Sequence, residues 1–163
     1  HPDKLLPSTD VVPERFELGT LPYEVMAGAT AAVDFLAGIV PGTGGGRRAR
    51  LRASMEAVDA HELRLRRRLE DGLAELGDAV VLHSRAADRT PTLLLTLPGR
   101  HTADAYAFLA TRGVFAPAGS FYAWEPFQRL GVADTHGLRL GLAPYSTDDD
   151  VDRALAGLRA FLG

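Results

Sequence analysis

The side chains best suited to metal binding or proton transfer are five histidines, His1, His61, His83, His101 and His136. None is paired at ligand spacing. His61-Glu62 opens like a zinc-protease helix, but Leu65 stands where its second histidine would be, so no metal site is expected. Ser120, in Gly119-Ser120-Phe121, lacks the alternate glycines of a nucleophile elbow, and no hydrolase triad can be assembled around it. Pro41-Gly-Thr-Gly-Gly-Gly46 has the glycines of a phosphate loop without its Lys-Ser/Thr ending, and reads as a linker. Cysteine is absent, which removes disulfides, thiolate ligands and a thiol nucleophile from this chain. Spacing and composition by themselves therefore reach a soluble α+β domain and no further.

The elements that would position any site follow from periodicity and punctuation. Residues 1–15, with Pro2, Pro7 and Pro13, read as an extended connection. Leu21–Ile39 has Pro22 near its start and many small residues, and reads as a buried helix. Arg47–Leu76 reads as a long helix. Leu51, Met55, Val58, Leu65, Leu69, Leu73 and Leu76 recur at threes and fours and form one stripe, and Gly77 is the stop. The eight arginines of this helix are interleaved with Glu56, Asp59, Glu62, Glu70, Asp71 and Glu75, which suggests a solvated face of local ion pairs rather than a nucleic-acid surface.

Strands are expected at Ala79–His83, Thr92–Leu97, Val114–Ala116 and Leu138–Leu142. Helices are expected at Thr102–Thr111, capped by Thr102, at Trp124–Leu130, and after a Ser146 or Thr147 cap followed by Asp148, Asp149 and Asp150. The resulting class is α+β, a short, mainly antiparallel sheet with helices packed on it. Residues 1–45 and 46–163 are the expected domains.

At 163 residues, about 70% of the unfolded surface can be buried, enough for one core. A net charge of −3 offers no global attraction to nucleic acid, and no apolar run reaches membrane length. Seventeen of the eighteen cationic residues are arginine; the one lysine is Lys4.

Three longer stretches, in order, resemble the class V aminotransferases, particularly the SufS-like cysteine desulfurases. The first is Pro13-Glu-Arg-Phe-Glu-Leu-Gly-Thr20. The second is Arg89-Thr-Pro-Thr92 together with Gly113-Val-Phe-Ala-Pro-Ala-Gly-Ser-Phe-Tyr-Ala123. The third is Gly137-Leu-Arg-Leu-Gly-Leu-Ala-Pro-Tyr-Ser-Thr-Asp-Asp-Asp-Val-Asp152, with Ser146 in place of the family's asparagine. The resemblance covers essentially the whole chain. It implies the C-terminal small domain of a fold-type I, pyridoxal-phosphate-dependent enzyme that acts on an amino acid, with a remnant of the large cofactor domain carrying an interface helix. A homodimer in a cytoplasmic setting is also implied.

Residue by residue, the resemblance makes Thr20, with Gly19, a contact to the cofactor phosphate of the other subunit; capping of the following helix is the alternative. Arg139 falls on the family's carboxylate-binding arginine, whose two-pronged donor suits that anion; pairing with a local acid such as Asp134 is the alternative. Tyr122 falls where desulfurases carry the sulfur-transferring cysteine. It either lines the substrate pocket or packs as a plain aromatic, and a phenol cannot form a persulfide.

The family's cofactor lysine, its pyridine-nitrogen aspartate and its stacking aromatic all precede the first stretch, and here only fifteen residues precede Phe16. Lys4 lacks the family's Ser-x-His-Lys context and is not assigned. With a start at His1, the expectation is a piece of a longer enzyme, without catalytic residues of its own and inactive alone. Transamination, epimerisation and lyase or desulfurase chemistry all stay open. A non-catalytic dimerisation or interaction module built on the long helix is the competing reading.

Overall fold

A computed structural model of the chain describes residue 3 and residues 6–17, 19–132 and 136–163. Two compact units are present, His1–Glu56 and Ala57–Gly163, and the division falls inside the longest helix. Among the described residues no helix is long and apolar enough to cross a membrane.

In the first unit a 3-10 turn at Glu14–Phe16 is followed by helix α1, Tyr23–Ala37, and by the first turns of α2, Arg47–Ala74. The reading of α1 as a buried helix is corrected here: Ala37 is its buried residue, while Tyr23, Val25, Met26 and Phe35 are exposed. Apolar side chains lie all round this helix, so covering it needs neighbours on several sides. Residues 1–56 supply a turn and a short length of helix, which is too little surface. At the end of the unit the buried Ser54 hydroxyl accepts the backbone N–H of Val40, and Asp34 pairs with Arg47 at 2.9 Å.

The second unit is the expected α+β body. It holds the rest of α2, then β1 (Val81–Leu82), β2 (Thr92–Thr96), α3 (Thr102–Ala110), β3 (Ala118–Gly119), α4 (Trp124–Leu130), β4 (Gly137–Gly141) and α5 (Asp148–Leu162). The sheet order is β1-β2-β4-β3, antiparallel throughout, with Leu94 opposite Arg139 and Leu95 opposite Leu138. Alternation divides the two faces. Leu93 and Leu95 of β2 and Leu138 and Leu140 of β4 point to the core, where they meet Leu65, Leu69 and Leu73 of α2, Leu109 of α3, and Val151, Leu155 and Leu158 of α5. Burial of each such side chain contributes about 1.5–3 kcal/mol.

Only the second half of the α2 stripe is buried, since Met55 is exposed. The helix is also not simply a solvated face of local pairs. Arg64 grips Asp148 of α5 with two hydrogen bonds, Arg68 grips Asp152, and Arg159 of α5 reaches back to Glu75. Arg66 is buried; it donates to the Arg89 carbonyl at 2.7 Å and shares Glu70 with the Arg89 side chain. Local i,i+4 pairs form between Arg52 and Glu56 and between Arg66 and Glu70, while Arg64 and Arg68, which have no acid four residues away, take the acids of α5.

Two local expectations are overturned. Residues 114–116 form no strand: the Val114 N–H closes the end of α3 on Leu109, and the pairing with β4 begins at Ala118. His101, not Thr102, occupies the cap position of α3, with Thr102 buried as its first residue. The α5 start is as expected. Thr147 accepts the Asp150 N–H, and the Asp150 carboxylate accepts from the Thr147 N–H, a capping box.

Candidate functional site

Arg139 lies on β4, held between β2 and β3, and its backbone N–H donates to the Pro117 carbonyl at 2.9 Å. Because its neighbours Leu138 and Leu140 take the core face, Arg139 points to the opposite face, which it shares with Leu94. One residue pair back on that face stands Gly137, where a Cβ would clash with the Leu94 side chain and meet the Phe127 ring at 3.1 Å. Only a missing side chain lets buried Phe127 of α4 and Leu94 close over the strand at that point. Beyond this apolar lid the sheet is open, and Arg139 is exposed.

The loop from β3 to α4 meets it there. The Ala123 N–H donates to the Ser120 carbonyl at 2.8 Å, closing a turn whose central residues, Phe121 and Tyr122, have φ of 54° and 60°. Such a turn normally takes Asn-Gly, because an L-residue in the left-handed region costs about 1–2 kcal/mol. Two aromatic residues hold it here, pinned by β3–β4 pairing before the turn and by buried Phe127 after it. The outcome is that Phe121 lies over Arg139, ring centroid to guanidinium carbon 4.4 Å, while Tyr122 is fully exposed. Plain packing of Tyr122 is therefore not what the structure shows.

Arg139 makes no ion pair or side-chain hydrogen bond among the described residues. Asp134, its alternative partner, lies outside those residues, as does Lys4. A groove of about 850 Å³ between α2 and α5 includes neither Arg139 nor Tyr122. Three of its four arginines, Arg64, Arg68 and Arg159, are matched by Asp148, Asp152 and Glu75, and Arg67 lines it beside Asp71. Arg139, with no acidic partner among the described residues and set under a ring, is the candidate binding group.

Gly19 and Thr20 belong to the first unit and Arg139 and Tyr122 to the second, so each pair stands in its own setting. Gly19 has φ +83° with open space around it, and Thr20 is exposed with no hydrogen-bond partner among the described residues. The capping alternative is not realised: Pro22 occupies the cap of α1 and no side chain caps it. Sequence reasoning missed Phe121, although its place beside Tyr122 in a loop pairing with the arginine strand was the available signal. His61 was considered only as a metal ligand. Its Nε2 lies 2.9 Å from the Ser146 carbonyl, tying α2 to the turn after β4.

The aminotransferase class-V family model matches residues 7–154. An uncharacterised protein of Mycobacterium tuberculosis is 33% identical over 150 residues, covering 90% of this chain and 37% of that protein. A probable cysteine desulfurase of Mycobacterium leprae is 29% identical over 147 residues, covering 90% of this chain and 31% of its own length. The crystal structure of the cysteine desulfurase CsdA from Escherichia coli superposes with a TM-score of 0.74 at 26% identity, over 93% of this chain and 33% of that one. The chain thus spans about a third of the length of the curated relatives it matches.

Proposed function

Because this chain belongs to the aminotransferase class-V family, we propose that it forms the substrate-carboxylate side of a cytoplasmic, homodimeric, pyridoxal-phosphate-dependent enzyme acting on an amino acid. The observation that carries this reading is Arg139: an exposed guanidinium on an otherwise apolar strand, free of acidic partners among the described residues and held under an aromatic ring. Its N–H fork is the donor geometry that a carboxylate takes in two parallel bonds.

The donors at Gly19 and Thr20 fit a phosphate. An unpaired hydroxyl and a backbone with no Cβ at φ +83° can approach its oxygens closely. When bound, the cofactor supplies the electron sink for the amino acid's chemistry. This chain's residues bind and orient: Arg139 fixes the carboxylate end of the substrate, and Thr20 donates to the phosphate. On this reading Thr20 serves the cofactor of the other subunit, and the exposed apolar side chains of α1, which starts three residues later, support a covered interface beside it. The lysine that anchors the cofactor is assigned to polypeptide outside these residues, so the 163-residue chain alone is inactive. Tyr122 lines the substrate side. A phenol there cannot carry sulfur, so desulfuration through a loop persulfide is not part of this proposal.

The test is Arg139→Ala in the full-length protein. KM for the amino-acid substrate should rise roughly tenfold or more, the worth of a lost charged hydrogen-bond pair, with the cofactor's visible absorbance retained. An unchanged KM rejects the assignment. Thr20→Ala should instead speed cofactor loss on dialysis; equal retention removes Thr20 from the phosphate site.

A further inference from the structure

We propose that Phe121 is a positioning residue, whose ring holds the Arg139 guanidinium in one orientation while leaving its donors free for a carboxylate. This rests on the carboxylate reading of Arg139. Other arginines of the unit are held by groups that consume their N–H donors: Arg64 by Asp148, Arg68 by Asp152, Arg159 by Glu75, and Arg66 by the Arg89 carbonyl. Even those lying over rings also donate, Arg100 to the Leu162 carbonyl and Arg112 to the Phe108 carbonyl. Among the described arginines that lie over a ring, Arg139 is the exception. Its contact is the Phe121 ring at 4.4 Å, and its guanidinium makes no hydrogen bond.

A π face attracts the cation electrostatically and takes none of the five N–H groups. An exposed arginine otherwise spreads over many rotamers, and binding must then order it. The ring removes part of that cost beforehand. A strained turn is what sets the ring there. Phe121 and Tyr122 occupy the left-handed region in succession, and outliers of this kind gather at ligand sites because the surrounding structure holds them. A residue serving only the core could pack from ordinary backbone, and Phe121 is only half-buried.

The experiment compares Phe121→Gly, Phe121→Tyr and Arg139→Ala. Glycine relieves the backbone at this position, so loss of the ring is separated from loss of the fold. In this chain, ¹⁵N relaxation of the Arg139 Nε–Hε group should show an ordered side chain in the parent and in Phe121→Tyr, and a mobile one in Phe121→Gly. In the full-length protein Phe121→Gly should raise KM about 2–5-fold with kcat unchanged, and Phe121→Tyr should restore it. If Arg139→Ala raises KM while Phe121→Gly leaves both KM and Nε order untouched, the positioning role is overturned and the carboxylate reading survives. Should Arg139→Ala leave KM unchanged, that reading fails and takes this proposal with it. A fall in the Phe121→Gly unfolding midpoint as large as a core truncation gives would make the ring a packing element and overturn the proposal.

Discussion

Position 122 offers a direct measure of the strain in the site loop. Tyr122 has φ of 60° and is fully exposed, so replacing it by alanine or by glycine removes the same unburied ring. What differs is the backbone. Alanine keeps the left-handed penalty of about 1–2 kcal/mol, which glycine avoids. Glycine in turn loses about 0.5–1 kcal/mol more chain entropy on folding. The balance favours Tyr122→Gly over Tyr122→Ala by about 0.7 kcal/mol, an inversion of the usual order of these two residues. For a unit of this size that is about 2–5 °C in Tm. Urea unfolding followed through Trp124, the chain's sole tryptophan and two residues away, should show a higher midpoint for the glycine variant with m unchanged. An alanine variant equal to or more stable than the glycine variant would refute the left-handed turn, and with it the geometry that places Phe121 on Arg139.

Gly137→Val should destabilise residues 57–163 by about 1–3 kcal/mol, because its side chain would drive into Leu94 and the Phe127 ring; the urea midpoint checks it. Thr147→Ala should cost about 1 kcal/mol through loss of the α5 capping box, read from the same transition. Acidification should weaken the fold through two carboxyls. Asp148 is held below its ordinary 3.8 chiefly by the hydrogen bond from Arg64, and Asp150 chiefly by the Thr147 hydroxyl and N–H. Folded values lower than unfolded ones mean that this stability is full above about pH 4 and disappears as pH falls through the depressed values. Asp148→Asn should flatten that part of the pH profile, and added salt should reduce the Asp148 contribution at neutral pH; a profile identical to the parent's would discount the Arg64–Asp148 pair.

Much of the α+β body was legible in one dimension because its signals are local. Leucines at threes and fours along α2, the apolar run of Thr92–Thr96, alternation in Gly137–Gly141, Pro126 in the first turn of α4 and the Thr147–Asp150 box each act within a few residues. The candidate residues Arg139, Tyr122, Gly19 and Thr20 were also reachable from sequence, because the three stretches that carry the resemblance are contiguous runs. Tertiary structure decided the rest. That Val114–Ala116 is not a strand depends on where β4 pairs, a choice made across some twenty residues of intervening chain. That Arg64 and Arg68 of α2 bind acids of α5 depends on helix packing, which brings together residues 84 positions apart. And that Arg139 sits beneath Phe121 rather than against a carboxylate depends on two left-handed aromatic residues, a conformation their side chains disfavour and only the surrounding strands and Phe127 impose.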